Sequence, residues 1–442
     1  MSGMTARLLS LWGRINASYW FYPALFSILA FFLALGTIAL DRGPMTDVLS
    51  HVSWLVPARP GGASDMLQVI AGSTIGVAAT VFSITIVAVS YASGTYGPRL
   101  LTNFMEDKGN QLALATFIST FVYTVMVLRV VRREDEAPVI LGASDSAPGF
   151  TPQLSLLVAT AMMLGAIGML VYFLNHVPDS IRINTVLEDI GKRLIKQVQR
   201  RFPHEGCDGE QPDTSGGEPV NVERAGYIEI IDFDGLEEIA EEKDVRIVME
   251  VEAGDFVHPP RPLLRIIGAD DPDEIGKRVR DCFVLSGLRT PTQDLRFLLD
   301  ELVEIALRAL SPGINDPFTA VTALHWIGAA TAELGTRILR ESANDEAVDR
   351  DERDVVPITH DFADYVAAGF GSARSAVATS RKAAMSMYDA LENCYLAVTD
   401  PGRRTVLMRE GDRLLQQAEE ELTGPNIEDV RRRHAEWKKA LA

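Results

Sequence analysis

The chain has 442 residues, 47% of them apolar, with a mean hydropathy of +0.09 and a formal net charge of −18. These properties sit in different halves: residues 1–180 hold nine Lys/Arg and ten Asp/Glu, and the rest hold 33 and 50. An apolar, near-neutral half joined to an acidic one excludes a single soluble globule, and it excludes nucleic acid as a partner, because phosphate binding needs clustered Lys/Arg.

Four apolar stretches, Tyr22–Leu40, Leu67–Tyr91, Leu112–Val131 and Leu154–Leu174, are long enough to cross a hydrocarbon core, which takes ~20 helical residues. Ahead of the first, Leu8, Leu9, Leu11, Trp12 and Ile15 recur at helical spacing beside Arg7 and Arg14. Residues 1–21 therefore read as an interfacial amphipathic helix ending in the aromatic belt Trp20–Phe21–Tyr22, and residues 22–178 as a four-helix membrane domain. No small-residue cleavage site follows the first apolar run, so it is expected to stay as an anchor. Ten Lys/Arg fall on the side of the N-terminus (Arg7, Arg14, Arg99, Lys108, Arg182, Lys192, Arg193, Lys196, Arg200, Arg201) and four on the other (Arg42, Arg59, Arg132, Arg133), which predicts both termini in the cytosol. The loops 41–66 and 132–153 are rich in Pro, Gly and Ser and carry no folded-domain pattern.

The span centres hold no Asp, Glu, Lys, Arg or His, against the usual mark of a proton relay. The second span is distinctive: Gly72, Ser73, Gly76, Thr80, Ser83, Ser90 and Gly94 recur near one face. Small faces let helices approach closely; hydroxyl faces can line a water-filled pore in a homo-oligomer. Both readings stay open.

Asn175–Pro178 is expected to end the fourth helix, and residues 179–224 to form an amphipathic connector followed by a loop over 203–219. Residues 225–268 switch to strands at 227–231, 245–251 and 262–267, with turns at Asp232–Gly235, Gly254–Asp255 and His258–Arg261. Gly254–Leu263 resembles the strand-turn-strand segment of barrel-sandwich hybrid domains, the lipoyl and biotinyl carriers. Met249 is followed by Glu250 instead of a carrier lysine, so a small β-barrel-like domain without a prosthetic arm is expected. Residues 269–442 read as a helical domain, with helices near 295–310, 317–340, 361–398, 402–422 and 426–440 and an acidic loop at 341–354. The expected fold is thus a four-span α-helical membrane domain followed by a cytosolic α+β domain.

Asp316–Pro317 is a helix start, with Pro312–Gly313 forcing a tight loop before it. The corner is either structural or a site for an ion, ligand or subunit, gathering Arg308, Ser311, Asn315, Asp316 and Thr319. Cys207, Cys282 and Cys394 are odd in number and scattered, so no disulfide framework is expected. No cofactor, metal or catalytic motif stands out. His360–Asp361, with His325 upstream, could hint at a phosphohydrolase of the HD type, but Asp361 is also a natural first residue for a helix. The chain is not expected to be an enzyme.

The run Arg289-Thr290-Pro291-Thr292-Gln293-Asp294 with Glu304 to Ala320 closely resembles the signature of the bacterial membrane proteins called domain-of-unknown-function family 2254. Val81-Phe82-Ser83-Ile84-Thr85, Tyr96 to Leu101 and Gly226-Tyr227-Ile228 agree with it. The resemblance implies a multispan inner-membrane protein with a cytosolic domain and carries no activity. On these grounds the expected function is an oligomeric channel or channel-like pore, with a non-conducting scaffold or sensor as the alternative.

Overall fold

The computed structural model describes residues 15, 18–43, 58–97, 107–132, 150–204, 214–269, 271–339 and 354–441. Most of the interfacial helix, the middles of loops 41–66, 132–153 and 203–219, nearly all of the acidic loop and residues Pro98–Leu101 lie outside them. The chain forms two compact units, one of residues 14–94 and 98–182, the other of 183–442 with 95–97.

The membrane unit consists of α1 (Phe21–Asp41), α2 (Pro60–Tyr96), α3 (Lys108–Leu128) and α4 (Gln153–Ser180), each long and apolar enough to span. Helices form here because hydrocarbon offers no partner for a free N–H or C=O, and an α-helix satisfies both internally. All four expected spans are present. The fourth does not end at Pro178 but runs to Ser180, because a proline in the last turn removes only one intrahelical bond.

Two apolar layers join the helices. Ala34, Leu67, Tyr123 and Ala159 meet in one, and Ala78, Val81, Phe117 and Phe173 in the other. An aspartate fastens each end. Asp41, 2% exposed, closes α1 and accepts from Leu154 N (2.9 Å), Ser155 N (2.9 Å) and Ser155 Oγ (2.7 Å), so it caps α4 from another helix. Next to it Tyr123 Oη meets Thr37 Oγ1 (2.9 Å) and donates to Ser155 O (3.2 Å). At the other end Asp107 caps α3 through Gly109 N and holds His176 Nε2 at 2.8 Å.

The C-terminal unit opens with α5 (Ile183–Arg201) and continues through β1 (Glu218–Asn221), β2 (Gly226–Ile231), α6 (Phe233–Lys243), β3 (Arg246–Met249), β4 (Phe256–Val257), β5 (Pro262–Ile267), α7 (Pro272–Asp281) and β6 (Phe283–Ser286). Then come α8 (Leu295–Ala309), α9 (Pro317–Gly335) and β7 (Val355–Val356). A helix α10 follows as Phe362–Val366, a π-helical turn Ala367–Gly371 and Ser372–Ala378, and α11 (Arg381–Ala397), α12 (Pro401–Glu421) and α13 (Pro425–Leu441) end the unit.

The expected barrel is absent. The strands make two open sheets, β1-β5-β3-β7 and β4-β2-β6, antiparallel except for the β3–β7 pair. Residues 225–268 therefore do not close on themselves: they recruit β1, which begins inside the expected loop, and β6 and β7 from beyond. The stretch read as a turn at Asp232–Gly235 is the start of α6. Asp232 accepts from Gly235 N, and Leu236, Ile239 and Ala240 bury one helical face in the core between the sheets.

In the helical part, α9 is packed by α5, α8 and α11. Gly191 of α5 lies against the Trp326 indole, so close that a Cβ would overlap the ring. The expected single helix 361–398 is broken at Thr379–Ser380, where Ser380 caps α11 by accepting from Ala383 N.

Candidate functional site

The predicted face of α2 is open along its length. Gly72, Ser73, Gly76, Thr80, Ser83, Ser90 and Gly94 are exposed, whereas Leu67, Ile70, Thr74, Ala78, Val81, Thr85, Ala88 and Ala92 are buried on the opposite side. A Cβ at Gly72, Gly76 or Gly94 would meet nothing within 4 Å. The Ser73 and Thr80 hydroxyls donate back to Val69 O and Gly76 O. Ser83 and Ser90 have no hydrogen-bond partner among the described residues.

The α8–α9 corner divides the predicted residues. Asp316 caps α9, accepting from Phe318 N (3.1 Å), Thr319 N (3.2 Å) and Thr319 Oγ1 (2.6 Å). Ser311 Oγ donates to Arg308 O at 2.6 Å. Asn315 has a left-handed backbone (φ 50°) that asparagine tolerates better than most residues. The Arg308 guanidinium and the Asn315 amide are not drawn into this network. Around it Leu307, Ile314 and Phe318 are exposed, Phe318 to 70%.

Sequence reasoning missed a charged cluster of the C-terminal unit. The run Arg289–Asp294 lies at the seam between sheets and helices. The Gln293 amide donates to Ile231 O (3.1 Å) and accepts from Ile231 N (2.8 Å), acting as a surrogate strand edge. Asp294 caps α8 through Phe297 N and takes Arg289 Nε (2.5 Å) and Nη2 (3.1 Å), while Arg289 Nη1 reaches Asp300 (2.6 Å). Nearby, Glu252 binds His360 Nε2 at 2.8 Å and Arg296 at 3.5 Å. Burial alone would raise the Glu252 carboxyl, but the His360 hydrogen bond and the charges of His360, Arg296 and Arg201 outweigh it and hold the group below its ordinary value. The hydrogen bond to Glu252 raises His360 in turn, against burial.

The HD-type constellation does not assemble: His325 Nε2 pairs with Ser386 Oγ (3.2 Å), His360 with Glu252, and Asp361 caps α10. No group of three or more potential metal ligands occurs among the described residues.

Two clefts flank Glu252 and Ala253. One, of about 350 Å³, reaches from the end of α5 to the sheet edge, and the other, of about 320 Å³, runs past Arg289, Arg296, Asp300 and the π-turn residue Ala368. The signal in the sequence was the Arg289–Asp294 run itself, which shows its geometry only once residues 252 and 360 are folded against it.

Four apolar helices with polar locks at both ends, followed by an α+β unit, define a multispan membrane protein with a large folded extramembrane part. The chain belongs to the family described as "Predicted membrane protein (DUF2254)", which matches residues 16–393. It is similar to an uncharacterized protein of Mycobacterium bovis and to two of Mycobacterium tuberculosis, strains H37Rv and CDC 1551. Each is 29% identical over 324 residues, covering 69% of this chain and 58% of the relative. The chain thus spans well under two thirds of the length of these curated relatives. No solved structure matches.

Proposed function

We propose that this protein is a non-enzymatic, homo-oligomeric, channel-like membrane assembly whose C-terminal unit is its cytosolic regulatory part. One observation carries this: the face of α2 that bears the glycines and hydroxyls, with Val69 and Val87 among them, lies open in the single chain while the opposite face is buried. Lipid tails gain little from glycine, and the Ser83 and Ser90 hydroxyls have no partner there, so a second copy or a water-filled path is the better neighbour. A second reading, a non-conducting scaffold, draws on Ser73 and Thr80, whose hydroxyls are satisfied within the helix and fit a dry helix–helix contact.

Ser83→Cys separates these readings, because Cys282 and Cys394 are buried and Cys207→Ser removes the remaining native thiol. The channel reading expects disulfide-linked oligomers in membranes, labelling of the introduced thiol by a water-soluble maleimide, and ion flux in vesicles that Ser83→Leu reduces without dispersing the oligomer. Cross-linking through an introduced thiol that stays dry, with no flux, selects the scaffold. Neither cross-linking nor labelling removes both.

A further inference from the structure

The 350 Å³ cleft falls in the size range of small-molecule sites, about 300–1,000 Å³. Part of its wall is apolar: Ile231, Met249, Val251 and Ile358. Its polar groups are mostly committed. Gln293 is bonded to the Ile231 backbone, Gln197 donates to Pro291 O (3.4 Å), Arg201 donates to Gln293 O (3.3 Å), and Glu252 is neutralised by His360 and Arg296. Arg200 differs: it lines the cleft, is exposed, and makes no ion pair or hydrogen bond among the described residues. The cleft therefore offers a second cation, Arg200, without a protein partner among the described residues, next to Arg201 and an apolar wall, in a half of the chain that is otherwise strongly acidic.

We propose that this cleft binds a small organic anion, a carboxylate or phosphate monoester bearing an apolar body. Arg200 takes the charge, and Ile231, Met249, Val251 and Ile358 take the apolar part. A guanidinium matches the paired oxygens of either anion. The neighbouring cleft does not compete for it, because its two arginines are paired, Arg289 with Asp294 and Asp300 and Arg296 with Glu252. Arg200 stands in the last turn of α5, the helix that begins at Ile183 directly after the fourth span ends, so the ligand would touch the segment that follows the membrane unit in the chain. The site lies within one chain and does not depend on oligomerisation or conduction.

The test uses the full chain in nanodiscs of phosphatidylcholine, with phenyl phosphate as probe, benzyl alcohol as the uncharged control and inorganic phosphate as the control without an apolar body. Calorimetric titration should detect phenyl phosphate, with binding at least about tenfold weaker for either control and for Arg200→Ala. Val251→Glu, which places a carboxylate in the wall, should abolish binding; should it fail to fold, Ile358→Asp at a half-buried position replaces it. A repeat in nanodiscs containing phosphatidic acid, whose headgroup is a phosphate monoester, identifies the natural source: loss of phenyl phosphate binding there means that a lipid headgroup fills the cleft, and unchanged binding means a free metabolite. Equal binding of phenyl phosphate and benzyl alcohol, unchanged affinity in Arg200→Ala, or no binding of phenyl phosphate in phosphatidylcholine would each overturn the proposal.

Discussion

Gly254 has φ of +96°, and a Cβ there would run into the Asp294 carboxylate, with Arg289 Nε 3.0 Å away. Only glycine lets the strand connection press onto that ion pair, and the same turn carries Glu252 towards His360. The Glu252–His360 contact ties the sheet part to α10, and its dependence on pH follows from the directions of the two shifts. A histidine raised above its ordinary 6.5 stabilises the fold fully at lower pH and loses that contribution as pH rises through its folded value. A carboxylate held below its ordinary 4.5 contributes fully above that value and loses it as pH falls. The pair is therefore strongest in mildly acidic solution. Arg296 and Asp364 flank it with opposing effects on His360. Thermal unfolding of the full chain in nanodiscs should show wild type losing stability relative to His360→Gln between about pH 6 and about pH 8. A constant difference between the two across that range would show that His360 does not titrate against Glu252.

At the scale of elements, the α8–α9 corner separates structural from uncommitted residues. Asp316 satisfies two orphan amides and the Thr319 hydroxyl, so Asp316→Ala should cost ~1 kcal/mol, as a lost helix cap does. Asn315→Ala should cost about as much, because alanine resists the left-handed conformation, whereas Asn315→Gly should be nearly neutral. Arg308→Ala should stay within about 0.5 kcal/mol of wild type, as substitutions away from packing and caps do. Denaturation of all four variants in one detergent decides. An Arg308→Ala loss as large as that of Asp316→Ala would make Arg308 part of the fold and remove it as a candidate contact for a ligand or subunit.

The helices were legible because their rules are local: twenty apolar residues for a span, an Asp before a Pro for a start. The sheets were not, since Ile247 pairs with Val355 and Val220 with Leu264, partners that no local period announces. Asp41 was missed for a similar reason, because the amides it caps belong to a helix far along the chain. The Glu252 cluster draws on three separate segments: the Arg289–Asp294 run and His360 each stood out beforehand, but nothing local joined them to Glu252.

For the whole molecule, the distribution of charge along the chain bears on orientation. At 1.5 Å per residue the 37-residue α2 is roughly 55 Å long, longer than a hydrocarbon core of about 30 Å requires. The C-terminal end of α2 is followed in the sequence by Arg99 and Lys108. Lys192, Arg193, Lys196, Arg200 and Arg201 follow the last span, so basic residues gather on that same side. Loops rich in Lys and Arg tend to stay in the cytosol, so the expectation is that the C-terminal unit lies there and, with four spans, the N-terminus as well. Reporter fusions after Gly209 and Ala442 should therefore read as cytosolic and one after Ala143 as external. The local dissent is Arg129, Arg132 and Arg133 after α3, opposed by Glu134, Asp135 and Glu136; neutralising the three arginines should leave all three reporters unchanged. An external reading at Ala442 would reverse the orientation and move the Arg200 cleft out of reach of cytosolic anions.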